Sequence, residues 1–275
     1  METGIRFAER RDIPALCEIW ESCFHDPYDY IRLFYRENFD HISVPVYVEA
    51  GRPVSMLHLL DASFRDGADA QPAKLIYAAG TLPGCRQRGY MRRLLEDVTS
   101  MALRDGFALF LKPADASLLA YYRSFGFARD ACLRLVTIPP GGKIPLTVSP
   151  LSPDQYNRMR DAAFSPRPYA RWPDRHLRWC VADNAYFGGK TLALALDGET
   201  HFLMAAPEDG ALLITETDLS LPQLRRVSGA LCALFGTGLL KAYLPDGLCP
   251  EGEEIVSSVV CNGPLRRTYV NLILI

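Results

Sequence analysis

Apolar and polar residues follow two rhythms along this chain. Ile13, Leu16, Ile19, Trp20, Cys23 and Phe24 recur at helical spacing behind a start marked by Asp12 and Pro14. Met91, Leu94, Leu95, Val98, Met101 and Ala102 predict a second amphipathic helix, which Gly106 ends. Shorter apolar runs predict strands at Ile5–Ala8, Val44–Glu49, Val54–Leu60, Ala73–Leu82 and Phe107–Leu111. Turns fall at Ala50-Gly51 and Asp66-Gly67. Ser117–Phe125 is expected to be a short helix closed by Gly126, with Phe127 opening the next strand. The aromatic-rich stretch 24–39 is assigned to neither class.

Residues 139–153 hold Pro139, Pro140, Gly141, Gly142, Pro145, Pro150 and Pro153, a density that neither a helix nor a central strand tolerates. A boundary near 140–147 would divide the chain into domains 1–140 and 147–275. The second half then repeats the rhythm of the first. A helix starts at Ser152-Pro153 and runs through Tyr156, Met159, Ala163 and Phe164. Strands follow at Thr191–Leu196, His201–Ala206 and Ala211–Glu216. A helix with Leu221, Leu224, Val227, Leu231 and Leu234 inward precedes a strand at Leu239–Leu244. The order matches the first half at an offset of about 130 residues. An unrelated α+β domain is the alternative.

Composition narrows the classes. The chain has 275 residues, 49% hydrophobic and 23% charged, with a formal charge of −2. That balance excludes disorder, collagen and coiled coil. No apolar run approaches the ~18 residues that would span a bilayer, and the N-terminus lacks a secretory layout. We therefore expect a cytoplasmic protein with no membrane partner and no whole-surface attraction to nucleic acid; homo-oligomer formation stays open. The eight cysteines form no Cys-x-x-Cys pair and no zinc-spaced cluster, so they read as reduced core thiols, and no metal site is expected.

The candidate chemistry lies between the Ala73–Leu82 strand and the following helix. Arg86, Arg88, Arg92 and Arg93 crowd a helix N-terminus, with no acid until Glu96. Cations are disfavoured there by about 0.3–1 kcal/mol each. An anion on the turn removes the conflict, with amides aimed at it and Gly89 allowing close approach. A solvated basic turn is the alternative. The corresponding turn of the second half, Thr217-Asp218-Leu219-Ser220-Leu221-Pro222, has neither Arg nor Gly and carries an acid.

Thr81-Leu82-Pro83-Gly84-Cys85-Arg86-Gln87-Arg88-Gly89-Tyr90-Met91 resembles the acetyl-coenzyme A motif of the GNAT N-acetyltransferase superfamily, Arg/Gln-x-x-Gly-x-Gly/Ala between strand and helix. Met91 departs from its last place, which is more like the enhanced-intracellular-survival-type branch. Tyr122-Arg123-Ser124-Phe125-Gly126-Phe127 resembles the family's Tyr-x-x-x-Gly-Phe, and the likeness covers residues 5–136.

The resemblance implies an α+β fold: a mixed central sheet flanked by helices, followed by a degenerate GNAT-like second half without the phosphate-binding turn. It implies an N-acetyltransferase that moves an acetyl group from acetyl-CoA, as cosubstrate, to a primary amine. A non-catalytic acyl-CoA-binding or regulatory module is the alternative. Ala79, Gly80 and Thr81 would bind the pantetheine arm; Gln87, Arg88, Gly89, Tyr90, Met91 and Arg92 would hold the pyrophosphate. Asp115 stands where many relatives have an Asn that touches the pantetheine, and a helix-capping role is open to it. Tyr122 would be the acid that protonates the leaving thiolate, with Tyr121 a poorer match. For the base, Glu49, His58, His25 and Asp26 are candidates, as is the terminal carboxylate of Ile275. The acids and aromatics of residues 21–40 suit a small cationic amine acceptor, and equally an amphipathic helix with a solvated acidic face.

Overall fold

The computed structural model describes residues 2–142, 144–245, 249, 251–263 and 268–272. The chain divides into two compact units. The first comprises Met1–Ser63, Gln71–Arg129 and Val259–Gly263; the second comprises Phe64–Ala70, Asp130–Ser258 and Pro264–Ile275. The boundary expected at 140–147 lies inside the second unit. Ile275 lies outside the described residues, so its carboxylate is not placed.

In the first unit, β1 (Gly4–Phe7) leads into α1 (Ile13–Phe24) and α2 (Tyr28–Asn38). Strands β2 (Pro45–Glu49), β3 (Arg52–Asp66) and β4 (Asp69–Thr81) follow, then α3 (Tyr90–Asp105), β5 (Ala108–Leu111) and the short α4 (Leu119–Arg123). The aromatic stretch left unassigned is α2. Its Tyr30, Ile31, Phe34 and Tyr35 are buried. They recur at helical spacing, with Asp29, Arg32, Arg36 and Glu37 exposed on the opposite face, so the period of α2 is present in the sequence.

The sheet order in this unit is β1-β2-β3-β4-β5, with Val259–Cys261 as the strand beyond β5. β1, β2 and β3 pair antiparallel, whereas β4 and β5 are parallel. The parallel pairing covers only Ala73–Leu75 against Ala108–Phe110. Three residues later Ala78 has φ +45°, a left-handed conformation that a non-glycine residue adopts at a cost and that interrupts a regular ladder. The end of β4 is thereby turned away from regular pairing. Leu94, Leu95, Val98 and Ala102 of α3 are fully buried against the sheet, with Leu57, Leu59, Leu109 and Phe127 in the same core.

The second unit has β6 (Arg129–Ile138), β7 (Thr147–Pro150), α5 (Pro153–Phe164), β8 (Tyr169–Arg171) and α6 (Asp174–Tyr186). It continues with β9 (Lys190–Leu196), β10 (Glu199–Glu208), β11 (Ala211–Thr217), α7 (Leu221–Phe235), β12 (Leu240–Pro245) and β13 (Glu253–Cys261), whose last residues belong to the first unit. Its sheet order is β6-β12-β11-β10-β9-β7. β11 and β12 pair parallel, again over three positions, Leu212–Ile214 against Leu240–Ala242, whereas β6–β12, β10–β11, β9–β10 and β7–β9 are antiparallel. Both units are thus mixed sheets flanked by helices, as expected. The sequence pattern misses α6, whose apolar residues are spread around polar ones. Ser152 and Gln155 close a capping box on α5, as Ser220 and Gln223 do on α7.

Candidate functional site

A cleft of about 530 Å³ opens at the end of β4. Ala79, Gly80 and Thr81 of β4 form one wall; Cys85, Arg86, Gln87, Gly89, Tyr90, Met91 and Arg92 form another; Cys23, Phe24 and Tyr121 complete it. Gly80 lets α1 approach: a Cβ there would meet Cys23 Sγ at 3.0 Å and Cys23 Cβ at 3.3 Å. The Cys23 thiol donates to the Thr81 carbonyl at 3.3 Å, and Arg86 Nε donates to the same oxygen at 3.3 Å. Ser55 Oγ donates to the Gly80 carbonyl at 3.2 Å. Two of the carbonyls expected to face an added strand therefore already have one partner each or more.

The turn between β4 and α3 is built by backbone conformation. Gln87 has φ +64° and Gly89 φ +79°, and Gly89 is the N-cap of α3. The first turn of α3 contains no acid, and no side chain caps it. Its leading N–H groups lack intrahelical acceptors by geometry, and the dipole adds partial positive charge. The arginines are less exposed to conflict than their number suggests, because each has a partner. Arg88 donates from Nη1 to both Glu49 oxygens at 3.2 Å and from Nη2 to Gly84 O at 3.3 Å. Arg92 lies 3.7 Å from Glu96, and Arg93 donates to Tyr47 Oη at 2.9 Å. Tyr90 donates to Glu49 at 2.6 Å and stacks on Tyr47 at 4.2 Å.

Eight of the nine residues expected to bind cofactor line this cleft; Arg88, held by Glu49, does not. Nor does Tyr122. Its ring packs edge-on to Phe127 with centroids 6.0 Å apart, and the lining phenol is its neighbour Tyr121. Burial raises the pKa of both phenols. Asp115 is a cap, accepting from Ser117 N at 2.6 Å, which lowers its pKa.

Three of the base candidates, His58, Glu49 and Asp26, have partners of their own. His58 is fully buried, with Nδ1 3.1 Å from Tyr77 O and Nε2 2.9 Å from Tyr35 Oη; burial lowers its pKa to about 4. Glu49 holds Arg88 and Tyr90. Asp26 accepts from Trp20 Nε1 at 2.7 Å, and exposed His25 terminates α1 at φ +61°. Tyr30, Phe34 and Tyr35, expected to meet a cationic acceptor, are core residues instead; Phe24 and Tyr28 are the exposed aromatics of that region. Two thiols expected in the core, Cys23 and Cys85, are half-exposed cleft residues, while the other six are buried. Sequence reasoning missed Cys23 and Phe24 at the cleft, since α1 reaches β4 only through the tertiary contact at Gly80.

Residues 4–129 match the family model of the acetyltransferase (GNAT) domain. No curated protein matches the sequence. Among solved structures, a conserved protein of unknown function from Enterococcus faecalis V583 is similar at a TM-score of 0.75 and 11% identity, over 94% of this chain and 72% of the other. Eis1 from Mycobacterium abscessus is similar at 0.69 and 13%, over 94% and 73%. A tandem GNAT protein from the clavulanic acid biosynthesis pathway is similar at 0.57 and 13%, over 96% and 100%. The fold is therefore the GNAT fold in a two-part arrangement, and the domain match over residues 4–129 supports acyl transfer as the class of chemistry.

Proposed function

We propose that this chain is an acetyl-CoA-dependent N-acetyltransferase acting on a primary amine, a small cationic one, and on its Arg-x-Arg-Gly turn we place it beside the enhanced-intracellular-survival-type branch. The observation that carries the reading is the uncapped, acid-free start of α3 at the mouth of a cleft walled by the end of β4. Acetyl-CoA supplies the activated thioester carbonyl. Amides of Gln87–Met91 would bind its diphosphate, with Arg92 alongside, and backbone groups of Ala79–Thr81 would align the pantetheine arm. An N–H near Thr81 would stabilise the oxyanion.

The thiolate's proton comes from a phenol. Tyr122 holds the motif position; Tyr121 holds the cleft wall. Both keep their protons at pH 7, because burial raises an already high pKa. Among the described residues no carboxylate or histidine lines the cleft, and within that set the acceptor's proton would leave through water. Phe24, exposed at the cleft, offers a ring face to an ammonium group before that step.

Calorimetry with acetyl-CoA, coupled to thioester turnover with a panel of amines, tests this. We expect saturable binding, and turnover with small amines. Arg88→Glu places a second carboxylate beside Glu49 and should weaken binding by about tenfold or more. Binding without turnover on any amine would leave a non-catalytic acyl-CoA module. Acetylation of protein lysines alone would overturn the small-amine acceptor.

A further inference from the structure

The second unit has its own cavity, about 390 Å³, at the end of β11 and the start of α7. Its volume is within the about 300–1,000 Å³ of small-molecule sites. Ala163 and Phe164 of α5, Leu219 of the turn, Leu221 of α7, and Leu244 and Pro245 of β12 give it an apolar wall, and Thr217, Asp218 and Ser220 a polar one. Arg167 reaches the same cavity. Its Nε is shielded from solvent and has no hydrogen-bond acceptor, and it forms no ion pair among the described residues. Burial lowers its pKa, with only Tyr269 acting in the other direction.

The polar groups nearby are occupied. Asp218 accepts from the Phe202 amide at 2.8 Å and lies 3.1 Å from His201 Nδ1. Thr217 Oγ1 donates to Phe202 O at 2.6 Å and accepts from the Leu219 amide at 3.1 Å. Ser220 is committed to its capping box with Gln223. Asp218, which lines the cavity, repels any anion, a dianion such as phosphate about twice as strongly as a monocarboxylate, and the helix start is already capped. A guanidinium fork suits a carboxylate, and the apolar wall suits a hydrocarbon body.

We infer that this cavity is a binding site for a monocarboxylate with an apolar chain, held by Arg167 and seated among Phe164, Leu219, Leu221 and Leu244. The site belongs to the second unit and is independent of acetyl-CoA chemistry.

Calorimetry of the full chain with octanoate tests it. Octanoate should bind saturably, octan-1-ol about tenfold more weakly, and saturating acetyl-CoA should leave octanoate binding unchanged. Arg167→Gln should lower octanoate affinity by about tenfold, and Arg167→Lys by less. Inorganic phosphate should not compete. Absence of saturable binding, equal affinity for acid and alcohol, or undiminished affinity in a folded Arg167→Gln protein would each overturn the assignment. The acid–alcohol comparison needs no variant, so it decides even if Arg167→Gln folds poorly.

Discussion

Tyr121 and Tyr122 are adjacent in sequence but meet different surroundings, and the difference is measurable. Their rings lie 5.5 Å apart; one faces the cleft and the other packs on Phe127. If Tyr122 donates the proton, Tyr122→Phe should lower kcat by about 10²-fold or more while acetyl-CoA affinity holds. The same loss in Tyr121→Phe, with Tyr122→Phe near parental, would move the role to Tyr121. Steady-state kinetics on the two variants separates them. The motif spacing points to Tyr122, but it cannot report which of two neighbouring phenols turns toward a cleft, because α4 is a single short helix whose rotation is set by packing against Phe125 and Phe127.

Helix α5 is tied to β11 by an ion pair with no exposure on either side. Arg160 Nε donates to Glu216 at 2.9 Å, and Arg160 Nη1 donates to Ala170 O at 2.8 Å. Tyr156 and Tyr269 donate to the same carboxylate at 2.6 and 2.9 Å. Such a pair contributes little net stability over a well-packed apolar pair, yet removing one partner strands the other charge. Arg160→Ala should therefore cost about 3–5 kcal/mol, whereas Arg160→Met with Glu216→Leu should cost far less. Urea denaturation checks both. The helical period of α5 was legible in sequence. The pairing was not, since Arg160 and Glu216 meet only when β11 is in register beside α5.

Burial lowers the pKa of two histidines, His58 in the first unit and His176 in the second, to about 4. The unfolded chain protonates these rings near pH 6.5. Between about pH 6.5 and 4 it therefore binds more protons than the folded chain, and stability falls as pH falls through that window. Denaturant midpoints measured across the window should decline, and His58→Gln should flatten the slope. Among the described residues no helix is long and apolar enough to cross a membrane.

Much of this molecule is written locally. The β4–turn–α3 signature, the cap at Ser152 and strand runs in both halves were readable from residues a few positions apart, because turns, caps and amphipathic faces are short-range physics. The turn before α3 belongs to that class: Gln87, Gly89 and the acid-free helix start are all within one stretch. The far wall of the cleft, the engagement of Glu49 with Arg88, the units' discontinuous makeup and the unpaired Arg167 were not legible. Each depends on which distant surfaces pack together, and packing is decided by the summed burial of the whole core, which no local window contains.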